Sequence, residues 1–397
     1  EKITSIDQIL TGANPGNITL LGEEFDEIYL NKVHTLSLSP ESVGKFHDMK
    51  IAYTPLHGAG VRLVPASLRK WGFTNVSLVE EQAVIDGNFP TVESPNPEER
   101  KTMAKAIELG SRLGADLVLA TDPDSDRIGV ALRNAKGEYV LLNGNQTLSL
   151  IMAYQLTRWS ELGRLDGKEF VVKTIVTSQM PNVMAAHFGV KCYDCLTGFK
   201  YIARIIRNNE GKATYIGGGE ESFGYLAGDF VRDKDAVSAC SLVAEAAAWT
   251  RDTMGLTLYE WLQKLYVEFG FFREGLVSVV RKGMEGAAEI QQMMVDYRAD
   301  PPREIAGSPV VKINDFKLLE STDVRTGAKT PIEEEASNVL QWFAADGTVV
   351  SVRPSGTEPK IKFYFGVRAE LESVADFDRV EVGLDAKIET IKKELKL

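Results

Sequence analysis

The sequence predicts an α/β protein: two α/β/α sandwich domains with mainly parallel sheets, followed by an α+β C-terminal domain. Three observations predict it. Short apolar strands alternate with helical segments from Lys50 onward, and the pattern restarts after the turn Leu162-Gly163-Arg164-Leu165-Asp166-Gly167. Beyond Phe269, strands follow one another through hairpin-like turns. Alternation with apolar strand centres implies parallel sheets covered on both faces, whereas strands in succession imply antiparallel pairing. The expected division is a connector at 1–47 and domains at 48–160, 161–268 and 269–397.

In the connector, a turn-rich Gly12-Ala13-Asn14-Pro15-Gly16 precedes a polar stretch whose Phe25, Ile28, Tyr29 and Val33 suit one helix. In the first domain, Ile51-Ala52-Tyr53-Thr54 reads as a buried strand, a Pro55/Gly58/Gly60 loop leads into a helix through Trp71, and Asn75 to Val79 is a second strand. Asn96 reads as the cap of a helix, with Pro97 first and Glu98 and Glu99 in a first turn where the dipole favours them. Asp116 to Thr121 is a third strand. The second domain offers strands at Phe170 to Ile175, Val190 to Tyr193 and Ala213 to Ile216. The last offers Val277 to Val280, Val310 to Ile313, Val339 to Phe343, Val349 to Val352 and Ile361 to Phe365, with Asp346-Gly347 as one turn. A closing helix carries Leu384, Ile388, Ile391 and Leu395 on one face. No repeat relates the first two domains in sequence.

The 397 residues carry 45 Lys plus Arg against 56 Asp plus Glu, a formal charge of −11. With 44% hydrophobic residues the chain is globular, and the acidic excess argues against nucleic acid or an anionic membrane as main partner. Local cations still admit an anionic substrate. No apolar stretch reaches the ~18 residues that span a bilayer; the longest, Ala236 to Ala244, closes on Glu245. Three cysteines, Cys192, Cys195 and Cys240, make no disulfide framework, so a reducing cytoplasmic setting is expected. Glu1-Lys2-Ile3-Thr4 has neither an initiator Met nor a secretory pattern, so the numbering is expected to begin inside a longer protein.

Three loops carry chemistry. In Thr121-Asp122-Pro123-Asp124-Ser125-Asp126-Arg127, carboxylates at i, i+2 and i+4 of an extended segment project from one side. Three such charges repel unless a cation lies between them, and hard oxygens suit Mg²⁺ or Ca²⁺. Arg127 is placed to hold a phosphate oxygen beside the metal. The loop follows a buried strand, where α/β proteins bind ligands. An EF-hand is excluded, because its sixth position is Arg127 instead of Gly and its twelfth is Arg133 instead of Glu. The second loop, Gly217 to Tyr225, combines three glycines with Glu220 and Ser222, an acceptor and a hydroxyl suited to sugar hydroxyls. The third, Arg353-Pro354-Ser355-Gly356-Thr357-Glu358-Pro359-Lys360, collects the donors a phosphate dianion needs. Cys192 and Cys195 lack a second pair or a nearby His and read as structural. Arg232-Asp233-Lys234-Asp235 reads as a helix N-terminus, and no Ser-His-Asp order or nucleophile elbow suggests a hydrolase.

Taken together and in order, the three loops resemble the metal-binding, sugar-binding and phosphate-binding loops of the α-D-phosphohexomutase superfamily, the phosphoglucomutases and phosphomannomutases. Thr54-Pro55-Leu56-His57-Gly58, Pro95-Asn96-Pro97-Glu98-Glu99 and Leu196-Thr197-Gly198-Phe199-Lys200-Tyr201 add to the resemblance, which spans the chain from about Lys50. The resemblance implies the second, third and fourth domains of a four-domain enzyme. Nothing here matches the family's phosphoserine loop, so the chain is expected to lack that domain and to be inactive alone. The implied reaction moves a phosphoryl group between positions 1 and 6 of a hexose through a phosphoserine and a hexose 1,6-bisphosphate. The resemblance places Mg²⁺ on Asp122, Asp124 and Asp126, with Arg127 beside it. It places the idle phosphate on Arg353, Ser355, Gly356, Thr357 and Lys360, and ring hydroxyls on Glu220 and Ser222. Lys200, Arg232 and Lys234 join the cleft, and His57 more weakly. Gly224 stands where the hexosamine-phosphate branch carries His, which favours glucose and mannose phosphates; a phosphopentose substrate stays open. So do a non-catalytic sugar-phosphate binding module and a Mg²⁺-dependent phosphatase.

Overall fold

The computed structural model describes residue 19 and residues 21–397, apart from residues 282 and 357. The expected turn at Gly12-Ala13-Asn14-Pro15-Gly16 and the site candidate Thr357 therefore lie outside the described residues.

Helices α1 (Glu23–His34) and α2 (Pro40–Lys45) lead into β1 (Ile51–Thr54), α3 (Gly60–Trp71), β2 (Val76–Leu78), α4 (Ala104–Leu113), β3 (Leu117–Thr121), β4 (Ile128–Arg133) and β5 (Tyr139–Leu141). The sheet order is β2-β1-β3-β4-β5. β1 pairs in parallel with β2 and β3, and antiparallel β4 and β5 extend one edge. β3 turns straight back into β4 through Asp122 to Arg127, too short a link for the crossover a parallel neighbour needs.

A second sheet repeats this plan. It is built from α5 (Gly144–Glu161), β6 (Glu169–Thr174), α6 (Met180–His187), β7 (Lys191–Cys195), α7 (Phe199–Asn208), β8 (Thr214–Gly219), β9 (Tyr225–Ala227), α8 (Ala236–Met254) and α9 (Leu258–Phe269). β6 pairs in parallel with β7 and β8, and β9 returns antiparallel to β8 through Glu220 to Gly224. The architecture is shared although the sequences show no repeat.

The last unit runs β10 (Phe271–Val280), α10 (Gly283–Ala299), β11 (Glu304–Ile305), β12 (Ser308–Asp315), β13 (Glu320–Asp323), β14 (Lys329–Pro331), β15 (Leu340–Ala344), β16 (Val349–Pro354), β17 (Lys360–Ala369) and α11 (Phe377–Glu394). Its strands pair antiparallel in the order β10-β17-β16-β15-β12-β13-β14. The β15–β16 turn puts Gly347 at φ 87°, where a glycine is favoured. α11 buries Leu384, Ile388 and Ile391, the expected stripe.

Two expectations fail for tertiary reasons. The helix read from Asn96 does not begin there: Asn96 accepts from the Glu98 N–H at 3.1 Å in a local turn, and α4 starts only at Ala104. The side chain satisfies the donor that a helix would otherwise have capped, and Pro97 packs instead on Gly129 of β4. α1 exists, but Leu30 and Val33 are its buried residues while Phe25 and Ile28 are exposed.

One apolar cluster runs through all three units, from Ile51 through Trp249 to Phe363. α8 is its axis, packing on α2, α3, α5 and α9. Fully buried Glu245 on α8 accepts from the Leu38 N–H at 2.9 Å, the Ser39 N–H at 3.1 Å and the Tyr154 hydroxyl at 2.7 Å, and from the Ser37 hydroxyl. These donors fasten the segment after α1 to the second unit. At the other end, the Phe271 ring stacks on Tyr266 and Phe377, with centroids 4.4 and 4.7 Å away, and joins α9 to the last unit.

Candidate active site

The three chemistry-bearing loops are all hairpin tips. Between β3 and β4, Asp122 is buried, Asp126 half-buried and Asp124 exposed. Asp122 Oδ1 accepts from the N–H groups of Asp126 (3.0 Å) and Arg127 (2.9 Å). Burial pushes the Asp122 carboxyl up to about 7, aided by the charges of Asp126 and Asp124 and opposed by those N–H donors. Ser125 holds φ at 60°, an uncommon conformation for a residue with a side chain. The tip is walled in: a Cβ at Gly58 would lie 2.3 Å from Pro123 Cα.

One oxygen of each carboxylate lies within 4.8 Å of the others, and Asp126 Oδ1 is buried without a hydrogen-bond partner among the described residues. Three hard, anionic, converging oxygens with one orphan fit a divalent cation. Lys234 Nζ reaches the other Asp126 oxygen at 2.9 Å and Asp233 at 3.1 Å. Burial works against the Lys234 charge, yet these hydrogen bonds prevail and raise its pKa. Lys234 is held by its neighbour. Asp235 caps α8 by accepting from the Val237 N–H (2.9 Å), accepts from the Tyr29 hydroxyl of α1 (2.7 Å), and donates its own N–H to Tyr225 O (2.9 Å). The helix start read at Arg232 to Asp235 is thus present. A cavity of about 580 Å³ opens here, lined among others by Asp124, Asp126, Arg232 and Lys234.

At the second tip the glycines are filled from within the protein. A Cβ at Gly218 would lie 2.1 Å from Val172 O, and one at Gly219 would lie 2.2 Å from Gly224 O. Glu220 is buried, and its Oε1 accepts from the Gly198 N–H at 2.8 Å. Glu221 turns inward to the hydroxyls of Thr174 (3.0 Å) and Thr177 (3.3 Å). Half-buried Ser222 sits at the tip. Lys200 is exposed on the first turn of α7, 4.8 Å from the Tyr201 ring centroid. Arg232 is exposed and bound to Glu210 at 2.6 Å.

The third tip joins β16 and β17. Arg353 is half-buried, and its charge acts on the Tyr364 hydroxyl. Ser355 donates its N–H to Lys360 O at 2.8 Å, its Oγ accepts from the Glu358 N–H at 3.3 Å, and Lys360 pairs with Glu358 at 2.7 Å. Gly356 is exposed.

The structure brings the first two tips together. Arg127 and Gly224 form a backbone bridge, and Ile128 donates to Phe223 O at 3.1 Å, which locks the first tip to the second. Tyr364 lies within electrostatic reach of Arg353, Glu221 and Glu220. The Lys362 charge of the last unit acts electrostatically on Glu221 of the second and on Glu98 of the first. Glu98, Glu221, Lys362 and Tyr364 were not read as site residues. Lys362 breaks an apolar strand, the one local signal available; Glu98 had been absorbed into the misplaced helix.

His57 does not face the cleft. It is 2% exposed, with Nδ1 2.9 Å from Val84 O and Nε2 2.8 Å from the Thr91 hydroxyl. A carbonyl only accepts, so Nδ1 carries the proton and Nε2 accepts from Thr91. Cys192 and Cys195 are free, and burial pushes the Cys192 thiol up to about 12, away from reactivity. No helix among the described residues is long and apolar enough to cross a membrane.

Fold and site thus define a three-unit α/β protein whose acidic and polar hairpin tips are locked together, with the strand that leaves the cationic tip packed on the second unit through Tyr364. Models of the phosphoglucomutase/phosphomannomutase family match it successively: α/β/α domain II at residues 27–137, α/β/α domain III at 143–269, and the C-terminal domain at 311–382. The chain belongs to the phosphoglucomutase/phosphomannomutase family. Phosphoglucomutases of Staphylococcus aureus strains MRSA252 and N315 are 36% identical over 341 residues, which is 86% of this chain and 60% of theirs. The chain therefore spans less than two thirds of those relatives. The fold is shared with parafusin, a phosphoglucomutase of Paramecium, at TM-score 0.60 and 14% identity over 94% of this chain and 62% of that one. It is shared equally with a phosphoglucomutase/phosphomannomutase family protein of Burkholderia thailandensis, at TM-score 0.60 and 17% identity over 92% and 64%.

Proposed function

We propose that this chain forms the metal-, sugar- and phosphate-binding walls of a phosphohexomutase acting on glucose and mannose phosphates, and that the phosphoserine belongs to a domain outside this sequence. The serine phosphoryl passes to the free hydroxyl of a hexose 1- or 6-phosphate, giving the 1,6-bisphosphate and a free serine. After the bisphosphate turns over, the other phosphoryl returns to the serine and the isomeric monophosphate leaves. The observation that carries this reading is the Arg127–Gly224 bridge, which fixes an acidic tip against a polar one.

Asp122, Asp124 and Asp126 would hold Mg²⁺, which neutralises charge on the moving phosphoryl when bound. Lys234 orients Asp126 from its far oxygen. Arg127 holds a phosphoryl oxygen. Glu220 and Ser222 take ring hydroxyls common to both orientations, with Lys200 and Arg232 at the rim. Arg353, Ser355, Gly356, Thr357 and Lys360 hold the phosphate that is not reacting.

The test is a mutase assay on the full-length parent with Mg²⁺. Interconversion of glucose 1- and 6-phosphate is expected, and Asp122→Asn should abolish it. Inorganic phosphate released from hexose phosphate by this chain alone would instead favour a phosphatase.

A further inference from the structure

A cavity of about 110 Å³ lies between the first and second units, at the end of β3 away from Asp122. Asp116 lines it, and the chain from Asp116 to Asp122 spans about 20 Å as a strand, so the cavity is separate from the hairpin tips. Most of its lining is apolar: Met49, Leu132, Ala247, Leu256, Leu258 and Tyr259. These residues come from the lead into β1, from β4, from α8 and from the start of α9, and their convergence leaves space that none of them fills.

The polar part of the wall is cationic. Arg251 pairs with Asp116 at 2.9 Å, and Asp116 also accepts from the Lys50 N–H at 3.0 Å. Arg133 has no carboxylate partner among the described residues. Its Nη2 donates to two neutral acceptors, Ala115 O and the Tyr139 hydroxyl, each at 3.1 Å, and its Nε is buried without a partner among the described residues. Two guanidiniums against one carboxylate leave a single positive charge at this wall. Helix α9 also begins here, capped by Thr257, and the first N–H groups of a helix have no partner within it and favour an anion. The Glu260 carboxylate of its first turn is engaged on the Thr257 N–H at 2.7 Å and hydroxyl at 2.9 Å.

We propose that this cavity is a binding site for a small apolar monocarboxylate, with the carboxylate on Arg133 and the hydrocarbon body against Leu132, Ala247 and Leu256. An apolar cavity of about 150 Å³ takes one benzene ring, so the occupant here is a single ring or a short branched chain. Sugars are poor occupants, because apolar walls leave their hydroxyls without partners. The site does not rest on the hexose-phosphate reading.

Calorimetric titration of the chain with benzoate, with neutral benzamide and with cationic benzamidine tests the site, since the three share one shape. Benzoate should bind about tenfold tighter than benzamide, and benzamidine should be weakest. Arg133→Met should lower benzoate affinity about tenfold and leave benzamide unchanged, and Arg133→Lys should recover part of the loss. Tyr139 keeps its own bond to Ala115 O at 2.6 Å, which holds the strand end in these variants. Ala247→Leu fills the cavity without touching its charge, so it should weaken benzoate and benzamide alike. Saturating glucose 1-phosphate should leave benzoate affinity unchanged, because the tips lie at the other end of β3. The proposal is overturned by absence of saturable benzoate binding, by equal affinity for the three probes, by benzoate binding that survives Ala247→Leu, or by displacement with glucose 1-phosphate.

Discussion

The hairpin tip between β3 and β4 is held from several sides, whereas the bonds of the described residues in the tip between β16 and β17 run mainly within it, apart from the Arg281 N–H that donates to Pro359 O at 2.9 Å. Around the first, Asp122 takes two N–H donors, Ala59 donates to Pro123 O at 2.8 Å, Ala236 donates to Ser125 O at 3.1 Å, and Gly224 bridges Arg127. Around the third, Ser355, Glu358 and Lys360 bond to one another. The difference follows from charge. Three carboxylates repel, so the surrounding fold must force them together. A cluster of donors needs no such cage, because a phosphate dianion gathers it on arrival.

The comparison is broken most severely by filling space. Gly58→Ala would push a Cβ to 2.3 Å from Pro123, whereas a Cβ at Gly356 meets nothing within 4 Å. Gly58→Ala should cost about 3 kcal/mol and Gly356→Ala less than about 0.5 kcal/mol in denaturant unfolding. Equal costs would erase the distinction between a crowded tip and one with open space at its glycine.

Removing the guanidinium of the third tip comes next. Arg353→Ala should weaken glucose 1-phosphate binding by about tenfold or more, the scale of a lost charged hydrogen bond, while leaving the melting temperature nearly unchanged. Calorimetry and a melt on the same sample read both.

The seam between the second and last units should respond to pH. Burial pushes Glu274 from 4.5 up to about 7, opposed by the Ser178 hydroxyl and the Arg273 charge. Its folded value exceeds its unfolded one, so the protonated form favours folding. That contribution is fully present below the unfolded value and is lost as pH rises through about 7. Glu274→Gln should flatten this part of the melting temperature–pH profile.

The smallest effect belongs to Glu358, which pairs with Lys360 on the third tip. Glu358→Gln should leave the melting temperature nearly unchanged, as loss of an exposed pair does. It should also tighten phosphate binding slightly by releasing Lys360.

Much of this molecule was legible before its structure, because buried strands write themselves as apolar runs. Ile51 to Thr54, Phe170 to Thr174 and the strands of the last unit read directly. The functional tips read as clusters of one chemical type. What did not read was whatever tertiary contacts decide. The cap signal at Asn96 is genuine, since its side chain does accept the Glu98 N–H, but packing of Pro97 on β4 postpones the helix. Phe25 and Ile28 share a helical spacing with Val33, yet only Leu30 and Val33 are buried, and the first half of α1 meets α3 through ion pairs, Asp26 with Arg62 and Glu27 with Lys70, each at 2.7 Å. His57 lay in a suggestive loop, and only the fold reveals that both its nitrogens are taken. Lys362 and Glu98 lie far apart in the chain, so no local pattern announces that one acts on the other.

The central claim is that three distant hairpin tips serve one ligand. Amide hydrogen exchange of the chain, with and without glucose 1,6-bisphosphate and Mg²⁺, tests it directly. Amides of residues 122–127, 220–224 and 353–362 should slow together at one ligand concentration. Slowing confined to a single tip, or midpoints that differ between tips, would contradict a shared site.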